Sequence, residues 1–199
     1  MQPAYYENFD EIIKKIWLML NDAVTNRSSQ FRIPVFICGT QNDFDGRIVV
    51  LRKSDQDNNL IQFHSDIRSN KIEKLKSNNR ASLIFYDKEE KIQVRTKVEC
   101  TVNHKNEITE QSWLKTAHIS RKCYLVDNGP GTESVEPTSG LKPEKDNFDY
   151  TMEESEKGYE NFTVIQCKIK SFEWLYLAAK GHRRAKIDYV QNKYTWLIP

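Results

Sequence analysis

A change of hydrophobic period near residue 30 constrains this fold more than any other feature. From about Tyr5 to Val24, the residues Phe9, Ile12, Ile13, Ile16, Trp17, Leu20 and Val24 recur at helical spacing. From Phe31 the chain breaks into short runs rich in β-branched and aromatic residues: Phe31 to Gly39, Arg47 to Lys53, Leu60 to His64, Ala81 to Tyr86 and Ile92 to Val102. Turn-forming clusters separate them at Asn42 to Gly46, Ser54 to Asn59 and Asp87 to Glu90. Connections this short join antiparallel neighbours. The spacing therefore predicts an antiparallel meander, with one amphipathic helix whose apolar stripe must lie on the sheet.

A short helix is expected at Ser69 to Ser77, where Ile72 and Leu75 supply an apolar edge and Ser69 is a natural N-cap. Further helices are expected around Asn106 to Ala117 and Ile119 to Leu125. Asp127 to Asn147 contains Gly129-Pro130-Gly131, Pro137, Gly140 and Pro143, a density of breakers that predicts a long irregular excursion. Strand texture returns at Phe162 to Ile169, Phe172 to Ala178, Ala185 to Val190 and Tyr194 to Ile198. Closing such a sheet into a barrel would remove its exposed edges. The 199 residues show no shift in composition, so a single domain over residues 1–199 is expected.

Thirty basic residues nearly cancel twenty-eight acidic ones, so any anion site must be local. The balance gives no reason to invoke nucleic acid or a membrane surface. Glu7, Asp10, Glu11, Lys14 and Lys15 interrupt the first apolar stretch, and no segment approaches membrane-spanning length. A soluble, cytoplasmic protein is the expectation. Cys38, Cys100, Cys123 and Cys167 lack the spacing of a metal site and read as structural thiols, with no metal implied.

One local anion site is visible. A strand carrying Arg47, followed across a hairpin by Ser69 and Lys71 at a helix start, brings cations and free backbone amides together. The same residues also fit a solvated basic helix start. Read in order, Arg47-Ile48-Val49-Val50-Leu51, Phe63-His64-Ser65-Asp66-Ile67-Arg68-Ser69-Asn70-Lys71, Gln93-Val94-Arg95, Trp174 and Gly181-His182-Arg183-Arg184 resemble the pyridoxamine 5'-phosphate oxidase-like family.

The resemblance implies a mainly β fold with helices (α+β), an FMN-binding split β-barrel of antiparallel Greek-key type. It also implies a homodimer with the cofactor site at its interface. On that pattern Arg47, Ser69 and Lys71 hold the FMN phosphate. Backbone groups of Ile48, Val49, Val50 and Leu51 serve the heteroatom edge of the flavin, and the Gln93 amide meets its pyrimidine portion. His64 and Ser65 occupy the place where family members present an aromatic or polar pair to the cofactor. Trp174 and Arg184 reach the flavin from the facing subunit. His182 contacts substrate above the flavin and is the catalytic candidate, and Lys180 stands where the family carries an arginine.

The oxidases of the family grip the substrate phosphate with a tyrosine, an arginine and a serine on a stretch that aligns with Trp113 to Arg121. Here the counterparts are Trp113, Ala117 and Arg121; the arginine is missing from its usual place, and Arg121 and Arg52 are the candidates to replace it. That departure points to a subgroup of FMN-binding relatives rather than to the true oxidases. The implied function is FMN-dependent oxidoreduction of a small molecule, with a vitamin B6 phosphate as first substrate. The alternative is a protein that carries FMN or another phosphorylated ligand without turnover. A nucleic-acid-binding barrel is opposed by the near-neutral charge. Related split barrels accept deazaflavin or haem, and the retained phosphate grip favours FMN.

Overall fold

Asn8 opens helix α1 (Phe9–Thr25), its side-chain oxygen accepting the Glu11 N–H, with Asp10 and Glu11 placed where carboxylates favour the first-turn amides. Ile12, Ile16, Trp17, Leu20 and Ala23 form its buried stripe, which lies on the sheet; Trp17 meets Phe172 edge-on with ring centroids 5.8 Å apart. The computed structural model describes residues 3–40, 43–142 and 150–199.

Among the described residues nine antiparallel strands follow: β1 (Val35–Gly39), β2 (Phe44–Ile48), β3 (Leu51–Asp55), β4 (Leu60–Asp66), β5 (Arg80–Asp87), β6 (Ile92–Asn103), β7 (Phe162–Tyr176), β8 (Arg183–Asp188) and β9 (Lys193–Leu197). Their order is β2-β1-β5-β6-β7-β4-β3, with β8 also on β7 and β9 on β8. Strand β6 runs along β7 from Val164 to Tyr176, while β4 pairs with the first half of β7 and β8 with the second. The register slips opposite Lys97 and Val98, leaving Lys170 as an extra residue where the sheet forks. Phe36 of β1 reaches Phe63 of β4 across the curl, with centroids 4.9 Å apart. No ladder joins β2 to β3 among the described residues, so the sheet is curled but open.

The sheet has two faces. Phe36, Leu83, Val94, Val98, Ile165 and Trp174 fill the inner core under α1. On the reverse face, α3 (Glu107–Leu114) covers a smaller cluster of Trp113, Phe162 and Val164. The other helices are α2 (Asn70–Ser77), α4 (His118–Arg121) and α5 (Met152–Glu156). No described helix is long and apolar enough to cross a membrane.

Three expectations need correction. Arg47 to Lys53 is not one strand: β2 ends at Ile48 and β3 begins at Leu51, and Phe44 to Gly46, expected in the turn, is already strand. Phe31 lies in a single 3₁₀ turn, and β1 starts only after Pro34, which has no N–H to give a ladder. Conversely, the expected pair of strands from Phe162 to Ala178 is one strand ending at Tyr176, because pairing with β6 carries it through the polar Lys170-Ser171 step. Helix α5 had no counterpart in the sequence reading. Residues 127–142 hold neither helix nor strand; Asn42, Pro143 and Asn147 lie outside the described residues.

Candidate functional site

Helical geometry tilts side chains towards the helix N-terminus, and in α2 this carries the Lys71 ammonium back over the β4–α2 connection. Its Nζ donates to Ser65 Oγ at 2.7 Å and to Ser69 Oγ at 2.9 Å. Lys71 is 8% exposed, and among the described residues no carboxylate pairs with it. Burial, with nearby Arg47 second, pulls its pKa from 10.5 down to about 8. Arg47 comes from β2 on the inner face, opposite Phe36. One of its Nη atoms meets Asp45, while its buried Nε has no hydrogen-bond partner. One turn beyond Lys71, the Lys74 ammonium lies 2.8 Å from Asp43. Ser69 occupies the N-cap position without capping: its hydroxyl donates to the Asp66 carbonyl at 2.8 Å and receives Lys71 instead. An unneutralised ammonium, an orphaned guanidinium N–H and two hydroxyls suit the oxygens of a phosphate.

Alternation along β4 sends Ser65 inward and His64 to the reverse face, so the two do not act as a pair. His64 faces a cavity of about 490 Å³ and meets Phe162 edge-on at 4.8 Å. Burial, and then the charge of Arg52, push its pKa down to about 3, so the imidazole is neutral. Arg52 is the extra residue of a β3 bulge, which turns it into the same cavity. The cavity lining includes Arg27, Arg52, Lys53 and Lys115 and, among the described residues, no carboxylate. Gln62 Nε2 donates to Ser112 Oγ at 3.1 Å and ties β4 to α3 in its wall.

The other expected site residues fall elsewhere. Arg121 is buried and fully engaged: its nitrogens donate to the Trp113 carbonyl at 2.9 Å, the Thr116 carbonyl at 3.2 Å and the Glu156 carboxylate, and its plane lies 4.5 Å from the Trp113 ring. It staples α3, α4 and α5 together and has nothing left for a substrate. Trp174 is fully buried in the inner core, between Tyr5 and Tyr176. Arg184 pairs with Leu175 in the register and so projects from the opposite face; the two do not converge. There Arg184 and Arg95 both bind the Glu173 carboxylate, whose pKa burial raises but whose hydrogen bonds from Arg184 and Arg95 bring below the ordinary carboxylate value.

Gln93 shares that reverse face, in a cross-strand row with Tyr86, Leu175 and Arg184. Of the four backbone candidates, Val49 already gives its N–H to the Pro34 carbonyl at 3.1 Å. Ile48 is exposed, Val50 is half-buried, and Leu51 is buried. Lys180 and His182 are exposed in the β7–β8 turn, where His182 joins Arg184, Trp196 and Ile198 around a groove of about 430 Å³. Sequence reasoning missed Arg27, Lys74 and Lys115. Only Lys74 carried a signal, its i+3 spacing from Lys71; Arg27 and Lys115 enter the cavity through tertiary packing alone.

Residues 15–104 match the family model described as pyridoxamine 5'-phosphate oxidase, FMN-binding domain. Over that stretch the chain is similar to this family, and its fold is of the split-barrel type. A pyridoxamine 5'-phosphate oxidase-related, FMN binding protein from Nostoc punctiforme superposes over 100% of both chains with a TM-score of 0.67 at 16% identity. PhzG from Burkholderia lata, solved in complex with tetrahydrophenazine-1-carboxylic acid, has a TM-score of 0.75 at 14% identity, covering 100% of this chain and 98% of its own. At such identities the likeness to these structures is one of fold. No curated protein matches the sequence.

Proposed function

We propose that this split barrel binds FMN and uses it to oxidise or reduce a small anionic molecule. The observation that carries the reading is the Lys71 ammonium, buried against two hydroxyls and, among the described residues, lacking a carboxylate partner, beside the orphaned Arg47 Nε. Burying such a charge is costly unless an anion completes the site. Bound FMN supplies the electron-pair chemistry. The chain's own residues supply charge and position. Lys71 and Arg47 neutralise the phosphate, with Ser65 and Ser69 orienting the ammonium. Arg52, Arg27 and Lys115 draw the anionic end of the substrate into the reverse-face cavity, and neutral His64 offers it a hydrogen bond without adding charge. A vitamin B6 phosphate is the first substrate to test.

The reading includes a homodimer. Exposed Ile48 and Tyr86 share the reverse face with Gln93, Arg95 and Arg184, and a second copy on that face would bring His182 and Lys180 towards the cofactor. A protein that carries FMN without turnover is favoured by one observation, the withdrawal of Arg121 into the α3–α5 staple.

The test is an absorption spectrum of protein mixed with FMN and freed of excess, followed by reduction of the retained flavin with pyridoxamine phosphate and other phosphorylated or carboxylated donors. A retained flavin that donors reduce supports the oxidoreductase. A retained flavin that no donor reduces leaves the carrier, and protein that retains no flavin ends both readings.

A further inference from the structure

The Asp66–Ser69 turn that shapes the Lys71 site is held from outside by one side chain, Arg68. Its backbone N–H donates to Asp66 Oδ1 at 2.8 Å, its Nε to the same oxygen at 3.0 Å, and its Nη2 to Oδ2 at 2.7 Å. Its Nη1 donates to the carbonyls of Val126 and Asp127, both at 3.0 Å. These two carbonyls begin the long irregular segment. The segment comes close enough at Gly129 that a Cβ there would lie 2.9 Å from Arg68 Cβ. From Asp66 the contacts continue inward: its carbonyl accepts the Ser69 hydroxyl, and Ser69 and Ser65 hold the Lys71 ammonium. On the far side, the Ile67 N–H donates to the Asn161 carbonyl at 2.8 Å, so the turn has little freedom to move without Arg68 moving too.

We propose that Arg68 is a positioning residue that locks the start of the 126–140 segment to the Asp66–Ser69 turn, so that order in the segment and phosphate binding at Lys71 are coupled. The guanidinium is suited to this because its planar fork serves a carboxylate on one edge and two carbonyls on the other, which an ammonium does not do. Gly129 is the second half of the device, since only a residue without a Cβ lets the segment reach Arg68. Coupling of this kind is reciprocal: a ligand phosphate that stabilises the turn must also quieten the segment. The proposal rests on the reading of the Lys71 cluster as the FMN phosphate seat.

The experiment measures FMN affinity by flavin fluorescence, and hydrogen exchange over residues 127–140, for the wild type, Arg68→Ala, Gly129→Ala and the double variant. In the wild type FMN slows exchange in that segment. Each single variant weakens FMN binding about tenfold and abolishes the FMN-dependent slowing, and the double variant is also weakened about tenfold, because both break one connection. Gly129→Ala leaves Asp66, Arg68 and the serines in place, so it carries the test if Arg68→Ala fails to fold. Unchanged affinity in Gly129→Ala, exchange in the wild type that ignores bound FMN, or losses that multiply to about a hundredfold in the double variant would each overturn the coupling while leaving FMN binding intact. A wild type that binds no FMN overturns the cofactor reading, and the coupling with it.

Discussion

Lys71→Met should stabilise the ligand-free protein while crippling its hold on FMN. Burial and Arg47 bring the Lys71 pKa from 10.5 to about 8. At roughly 1.4 kcal/mol per pH unit, holding the ammonium in the fold below pH 8 costs about 3 kcal/mol. Met keeps most of the stem volume and carries no charge, so urea unfolding at pH 7 should show Lys71→Met more stable by about 2–3 kcal/mol. The sign of the pH dependence follows from proton counting. Between pH 8 and 10.5 the unfolded chain keeps the lysine proton that the fold has released, so wild-type stability from this group rises with pH and the gap to the variant closes towards pH 10.

FMN binding should move the other way. Removing the cation that faces a phosphate costs about 2–5 kcal/mol, roughly 30-fold or more in affinity. Wild-type affinity should itself fall about tenfold for each pH unit above 8 as the ammonium is lost. A variant less stable than wild type at pH 7, or a stability gap that does not shrink on raising the pH, would refute the argument that Lys71 is a charge buried in wait for an anion.

Other substitutions separate the structural from the functional cations. Arg121→Met removes three hydrogen-bonded nitrogens and a ring contact, and should cost about 2–4 kcal/mol in chemical denaturation with FMN affinity of the folded protein unchanged. Arg52→Gln should raise KM for a phosphorylated donor about tenfold or more in steady-state assays, with a smaller change in kcat, because it removes ground-state charge from the cavity. His64, with its pKa pushed down to about 3, should show no imidazole titration by NMR between pH 5 and 8. Its depressed pKa costs the fold nothing while the unfolded chain is also neutral, and stability falls as pH drops below about 6.5, where the unfolded imidazole takes a proton that the folded one does not.

Much of the fold was legible because it depends on local pattern. The helical stripe of α1, the alternation of β5 and β6, and the breakers of residues 127–142 all express preferences of neighbouring residues, and each element appears near its expected place. Ser69 and Lys71 were legible as a group for a similar reason, since they sit together at one helix start, whereas Ser65, read beside His64, joins them only in the structure. Boundaries failed where pairing overrode propensity, as at the Val49–Val50 break and along the unbroken β7.

Residue roles that depend on distant partners were not open to the same reading. Trp174 and Arg184 stand ten residues apart in the sequence, yet the register of β7 on β8 turns one into the core and the other outward. Arg121 resembled a spare cation until Glu156, thirty-five residues on, closed over it. Arg27 and Lys115 became cavity residues only when α1 and α3 packed around β4. Sequence alone determined the element types and the local cation–hydroxyl group, because hydrophobic period and turn chemistry act over a few residues. Tertiary structure decided which charges are neutralised and which have no carboxylate partner among the described residues, because that depends on groups brought together from across the chain.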